Sequence, residues 1–251
     1  MQNRLLQTLI LMAGIGLCAA TAHAAKLHIA VASNFIEPMK ALAAKFEQQS
    51  SFKVILSSGS TGKHYAQIIH GAPFELFFAA DKARPRRLEQ EGKVVAGSRF
   101  TYAIGQIVLW SPRTDFVDSE GKILEKAGFN HLAIANPKFA PYGEAARQIL
   151  KARGLWHALQ GRLVRGENIA QAYQFVKSGN AELGFVAWSQ IRRPHRDVPG
   201  SYWHVPARLY SPIEQQAVIL RETAAAKAFV SFVKSKPARK LIAAYGYHLP
   251  D

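Results

Sequence analysis

The chain has 251 residues, 49% hydrophobic and 20% charged, the balance of a soluble globular protein with room for two lobes. That excludes a disordered chain, a collagen-like repeat and a polytopic membrane protein. Lys and Arg number 32 against 17 Asp and Glu, a formal net charge of +15, and the single cysteine, Cys18, excludes an intrachain disulfide.

The first 24 residues read as a signal peptide. Arg4 supplies the positive start, Leu5 to Leu17 is an uncharged apolar run, and Ala22-His23-Ala24 is a small-x-small cleavage site. The run is too short to span a bilayer comfortably, and no second apolar run of ~20 residues follows. Leu17 stands where a lipid-attachment motif at Cys18 needs a small residue, so a lipid anchor is not expected. The expected destination is the periplasm. There the charge reads as a solvated basic surface that draws in anions at long range. The basic residues are scattered apart from clusters at Lys82 to Arg87 and Arg192 to Arg196, and no nucleic-acid partner is expected.

From Lys26 onward strands and helices alternate. Lys26 to Ala32 is a first strand, and Pro38 to Gln48 a helix with Met39, Leu42, Ala43 and Phe46 at helical spacing. Lys53 to Leu56 is a second strand and Lys63 to His70 a second helix. Leu76 to Ala80 is a continuous apolar run, the mark of a buried parallel strand. Asp81 reads as the cap of a helix opened by Pro85. Further strands are expected at Ile107 to Trp110, His131 to Ala135, Glu182 to Ala187 and Gln216 to Leu220. Further helices are expected at Glu144 to Lys151, Ala170 to Lys177 and Thr223 to Lys234. The order implies an α/β protein with mostly parallel sheets covered on both faces.

Such sheets bind ligands at the carboxyl ends of their strands. Three loops there are rich in small donors or helix-start signals: Ala32-Ser33-Asn34-Phe35, Ser57-Ser58-Gly59-Ser60-Thr61-Gly62, and Asn136-Pro137 through Pro141-Tyr142-Gly143. The first amides of a helix lack partners and, with the helix dipole, favour an anion. Ser33, Ser60 and Thr61 are therefore candidate anion donors. Their plainer role is helix capping.

Enzyme motifs fail on their spacing. Gly59 to Lys63 resembles the end of a phosphate-binding loop, but Ser57 and His64 stand where that loop needs glycine and Ser or Thr. Ser60 lacks the flanking glycines of a nucleophile elbow. His64 and His70, six apart, share no helix face well, and no metal site is expected. His64 is the single nearby candidate base for a hydrolase built on Ser60 or Thr61.

The segments Ala30 to Phe35, Ser57 to Gly62, Gly71 to Asp81, Ala135 to Pro137 with Pro141 to Gly143, Leu183 to Val186, and Tyr245-Gly246-Tyr247 resemble the periplasmic molybdate-binding proteins of ABC transporters. The resemblance covers essentially the whole chain after the signal peptide. It implies a type II periplasmic binding protein. Its two lobes, residues 25–104 plus 213–251 and residues 105–212, would be joined by two hinge crossings, near Ala103 to Gln106 and Ser211 to Gln215. It implies a monomer, with no enzymatic activity and no cofactor. Molybdate or tungstate would be the ligand, captured between the lobes and delivered to a membrane permease.

The family's ligand positions fall here on Asn34 and Thr61, with Ser33 and Ser60 adjacent, and on the backbone amides of Tyr142 and Ile169. Where many relatives carry a tyrosine after the Leu-Gly-x-Val strand, this chain has Ala187. The Tyr142 hydroxyl is the expected compensation. No mapped position is Asp or Glu, which suits a dianion without a proton and disfavours hydrogen phosphate. The alternatives are the same fold with another tetrahedral oxyanion, such as sulfate, thiosulfate or chromate, and, further off, a secreted hydrolase.

Overall fold

The structure, a computed structural model, describes residues 25–126 and 128–250. The expected signal peptide lies outside these residues. The chain begins with β1 (Lys26–Ala32), a 3-10 turn at Ser33–Phe35 and α1 (Ile36–Gln48). It continues through β2 (Lys53–Gly59), α2 (Thr61–Ile69), β3 (Leu76–Phe78), α3 (Ala83–Gln90) and β4 (Phe100–Gly105). The middle of the chain forms β5 (Ile107–Ser111), β6 (Leu132–Ala135), α4 (Pro141–Ala152), β7 (Leu163–Gly166), α5 (Ile169–Lys177), β8 (Leu183–Ala187), α6 (Trp188–Ile191) and β9 (Ser201–His204). It closes with β10 (Ile213–Ile219), α7 (Ala224–Lys234) and α8 (Lys236–Ala244).

The strands form two five-stranded sheets, ordered β2-β1-β3-β10-β4 and β7-β6-β8-β5-β9. Each sheet is the centre of a lobe and is covered on both faces. Alternate residues of β1 show why: Leu27, Ile29 and Val31 pack with Met39 and Leu42 of α1 and Phe229 of α7. Ala30, on the opposite face, packs with Ile68 of α2 and Leu88 of α3. A period of two on a strand buried on both sides produces this division. The second sheet repeats it. Leu132 and Ile134 join the cluster holding Ile149 of α4, and Ala133 joins Val176 of α5.

One strand in each sheet runs against the other four: β10 in the first and β5 in the second. The crossings explain it. The chain leaves β4 at Gly105 and enters β5 at Ile107, with only Gln106 between. The carboxyl ends of the parallel strands in both sheets face one another. A chain leaving one sheet at that edge enters the other from its own carboxyl edge and must run backwards through it. The return from β9 to β10 obeys the same geometry.

Four expectations shift. β2 extends to Gly59, pairing with Ala32, so Ser57, Ser58 and Gly59 are strand rather than loop. Pro141, Tyr142 and Gly143 form the first turn of α4 rather than a loop before it. Pro85 is the third residue of α3, and Asp81 does not occupy the N-cap position. Its carboxylate accepts from the Arg84 N–H at 3.0 Å from one residue earlier. Finally, β4, β7, β9, α6 and α8 exist where no element was expected. The three strands are all sheet edges, where one side lacks a neighbour and the continuous apolar run of a central strand is not required. α8 does carry a start signal, with Ser235 accepting from Ala238 N–H and Pro237 in its first turn.

Candidate functional site

Four helix starts converge between the sheets. The first lobe contributes the turn at Ser33 and the start of α2; the second contributes the starts of α4 and α5. They line a small cavity with Ser33, Asn34, Ser60, Thr61, Tyr142, Asn168 and Ile169 among its walls. All six residues singled out by the sequence reading, Ser33, Asn34, Ser60, Thr61, Tyr142 and Ile169, are buried here. The cavity is too small for an amino acid or a sugar in this closed arrangement.

The hydroxyls share one polarity. Ser60 Oγ caps α2 by accepting from Lys63 N–H at 3.3 Å, and Thr61 Oγ1 accepts from Ala80 N–H at 3.0 Å. Ser33 Oγ accepts from Ala170 N–H of the other lobe at 3.4 Å. Tyr142 Oη accepts from Gln215 Nε2 at a long 3.5 Å. Among the described residues, none of the Ser33, Ser60 and Thr61 hydroxyls gives its own proton to a protein acceptor, and the Tyr142 hydroxyl has that of Tyr247 as a neighbour. Only Ser60 caps its own helix, so capping alone does not account for the set. The backbone adds donors at Tyr142 and Ile169. Both stand in the first turn of a helix, where the N–H has no intrahelical partner. Asn168 Oδ1 takes the next two amides of α5, those of Ala170 and Gln171, at 2.9 and 3.1 Å, which leaves that of Ile169 free.

Burial pushes the Tyr142 phenol well above its usual range, so it stays protonated and remains a donor at neutral pH. No Asp, Glu, Lys or Arg is among the described residues lining this cavity. Charged groups sit outside it. A neighbouring cavity of ≈ 270 Å³ is lined by Asp81, Lys82, Arg84, Glu144 and Glu214 among others. A site of donors alone, with four positive helix ends aimed at it, favours an anion and gives a ligand proton nowhere to go.

Asn34 differs from its expected role. Its side-chain NH2 donates to Gln215 Oε1 at 2.8 Å and to Tyr247 Oη at 3.0 Å. Both hydrogens are thus committed inside the protein, and what Asn34 offers the cavity is its place at the helix start. Gln215, Asn168 and Gly105 are site residues that the sequence reading missed. Each left a trace: two adjacent glutamines in an apolar strand, an asparagine just before a helix, and a glycine at a crossing. A Cβ at Gly105 would collide with Tyr142 Oη and lie 2.7 Å from Gln215 Nε2. The glycine therefore makes the space in which those two groups meet.

The lobes are closed on one another around the cavity. Gly62 N–H donates to Phe139 O at 2.9 Å, and Lys63 pairs with Glu167 at 2.6 Å. Arg193 pairs with Glu37 at 3.2 Å on the opposite side. Ser189 Oγ, at the start of α6, donates to Asn34 O at 3.0 Å. His64 takes no part. Its Nε2 faces Val31 O at 3.2 Å and its Nδ1 faces Gln67 at 3.0 Å, and its ring packs on Phe74 and Phe77. Among the described residues there is no cluster of three or more His, Cys, Asp or Glu that would hold a metal ion, and no helix long and apolar enough to cross a membrane.

Residues 27–248 match the family described as bacterial extracellular solute-binding protein. The chain is 52% identical to the molybdate-binding protein ModA of Azotobacter vinelandii, over 97% of this chain and 98% of that one. It is 45% identical to the molybdate-binding protein ModA of Rhodobacter capsulatus, over 95% and 93%. The solved Azotobacter vinelandii periplasmic molybdate-binding protein superposes with a TM-score of 0.87 at 45% identity, covering 90% of this chain and 100% of that one. The sulfate-binding protein SubI of Mycobacterium tuberculosis, at 16% identity and a TM-score of 0.73, shares the fold. Two α/β lobes closing over a donor-lined cavity, matched over nearly the whole length, place this chain among the bacterial extracellular solute-binding proteins, in the group that includes those molybdate-binding relatives.

Proposed function

We propose that this protein captures molybdate, and tungstate as well, between its two lobes outside the cytoplasmic membrane and hands it to an ABC-type permease. The lobes would be residues 25–104 plus 213–251 and residues 105–212. The crossings near Gln106 and between His204 and Ile213 would serve as the hinge. The observation that carries the reading is the polarity of the cavity. Its four hydroxyls, on Ser33, Ser60, Thr61 and Tyr142, accept from N–H donors and keep their own protons for the ligand. A tetrahedral dianion without a proton satisfies such a site. A hydrogen phosphate would meet donors with its own O–H and find no acceptor, which costs the desolvation of that group. Ligand bridging donors from both lobes stabilises the closed state, a shift of population rather than a chemical step. No bond is made or broken. His64, the one candidate base of the hydrolase alternative, has both ring nitrogens engaged elsewhere.

The test is thermal unfolding with molybdate, tungstate, sulfate and phosphate in turn. A ligand at about 1,000 times its dissociation constant adds ~4 kcal/mol, which for a chain of this size raises Tm by roughly 8–16 °C. A shift with molybdate and tungstate alone supports the reading. An equal shift with sulfate replaces it with a general tetrahedral-dianion site, and no shift with any of the four overturns it.

A further inference from the structure

Behind the cavity lies a buried polar network that joins the lobes. Gln215, fully buried on β10, is its centre. Its Oε1 accepts from Asn34 Nδ2 at 2.8 Å, and Tyr102 Oη, 3.0 Å away, shares its one proton between that oxygen and Ala79 O at 3.1 Å. With its oxygen on Asn34, the amide turns its nitrogen toward Tyr142. A local irregularity of the sheet aims these side chains. Ala103 pairs with Gln215 and Thr101 with Gln216, leaving Tyr102 as the extra residue of a bulge. Bulges re-aim side chains next to sites in this way. Gly105, three residues on, supplies the space in which the Tyr142 oxygen and the Gln215 nitrogen meet.

Tyr142 and Gln215 belong to different lobes. Tyr142 stands on α4 beside the second sheet, Gln215 on a strand of the first. A phenol has one proton and rotates it to suit its neighbours. Left alone, that proton has no fixed direction before the anion arrives.

We infer that Gln215 is a positioning residue for anion capture: on lobe closure its Nε2–H occupies the acceptor side of the Tyr142 hydroxyl and turns the phenol's proton toward the ligand. This deepens the proposed function and rests on it. The contact is long at 3.5 Å. It tightens when the phenol donates, because a hydroxyl that gives its proton to an anion becomes a better acceptor. Closure and donor orientation are thereby one event, since the orienting amide arrives only when the lobes meet. The Tyr247 hydroxyl secures the far side. It accepts from Asn34 Nδ2 at 3.0 Å and lies 2.9 Å from Asn34 O and 2.8 Å from Ser189 Oγ, which holds the asparagine that orients Gln215.

The experiment is a double-mutant cycle on molybdate affinity by calorimetry, using Gln215→Met and Tyr142→Phe. Gln215→Met weakens binding by about tenfold when Tyr142 is present, the worth of one oriented hydrogen bond. In the Tyr142→Phe background it changes affinity by less than about twofold. Gln215→Glu is the second variant, for the case in which the first fails to fold. It retains acceptors for Asn34 and Tyr102 but draws the phenol's proton away from the ligand. Any repulsion its charge adds acts in both backgrounds, so the loss is larger with Tyr142 than in the Tyr142→Phe background. Losses equal in the two backgrounds mean that Gln215 only supports the fold, and they overturn the inference while leaving molybdate capture standing. A wild-type chain that binds none of the four oxyanions overturns both.

Discussion

The two lobes line the same cavity by different means. The first brings side-chain hydroxyls, from Ser33, Ser60 and Thr61. The second brings backbone amides at the starts of α4 and α5, with the Tyr142 phenol as its one side-chain hydroxyl among the described lining residues. A side-chain donor is lost by a single substitution. A backbone donor survives any residue that keeps the helix start in place, which is why an apolar Ile169 serves at a polar site. The comparison teaches that the chemistry of this site is written in residue types on one side and in backbone geometry on the other.

The sharpest way to break that contrast is Thr61→Val. It removes a hydroxyl that accepts from Ala80 N–H and that we propose donates to the anion. Affinity for molybdate should fall by about 10–150-fold, the range for a hydrogen bond to a charged group, as read by calorimetry. Next is Tyr142→Phe, which deletes the second lobe's side-chain hydroxyl and should cost about tenfold. Unchanged affinity there would show that only the amide contacts the ligand. By contrast, Ile169→Val should leave affinity within about twofold and lower stability by about 0.5–1.5 kcal/mol, since the side chain is core and only its N–H faces the cavity. A large loss of affinity from that substitution would break the comparison.

Acidity sharpens it further. None of the proposed donors titrates near neutrality, so molybdate affinity should be flat from about pH 7 to 9. Stability should not be flat beyond those limits. Burial holds the His64 imidazole below its usual 6.5. The unfolded chain therefore takes up that proton first, and Tm should drop as pH falls below 6.5. Burial raises the Tyr142 and Tyr102 phenols above their usual 10.0. The unfolded chain then loses those protons first, and Tm should drop as pH rises past 10. The smallest effect expected is that of Lys63→Ala. Its pair with Glu167 bridges the lobes but is exposed on both sides, so affinity at physiological salt should change by less than about threefold.

What was legible in the sequence follows what each residue had to satisfy by itself. The central strands β1, β3, β6 and β8 are buried on both faces, and that demand leaves continuous apolar runs. The edges β4, β7 and β9 carry no such demand and left none. In the site, Ser33, Ser60 and Thr61 were readable as small hydroxyls at strand ends, because a helix start needs donors and space whatever binds there. Asn34 was readable as a site residue, but the direction of its amide was not.

The sequence by itself determined the α/β class, the central strands, the helices that cover them and the loops where an anion would be held. These depend on periodicity and on local backbone chemistry, which neighbouring residues express directly. Only the tertiary structure decided the polarity of the donors. Whether a hydroxyl gives or accepts depends on partners far along the chain: Ala170 for Ser33, Ala80 for Thr61 and Gln215 for Tyr142. No periodicity records those partners, because folding alone brings them within hydrogen-bond reach.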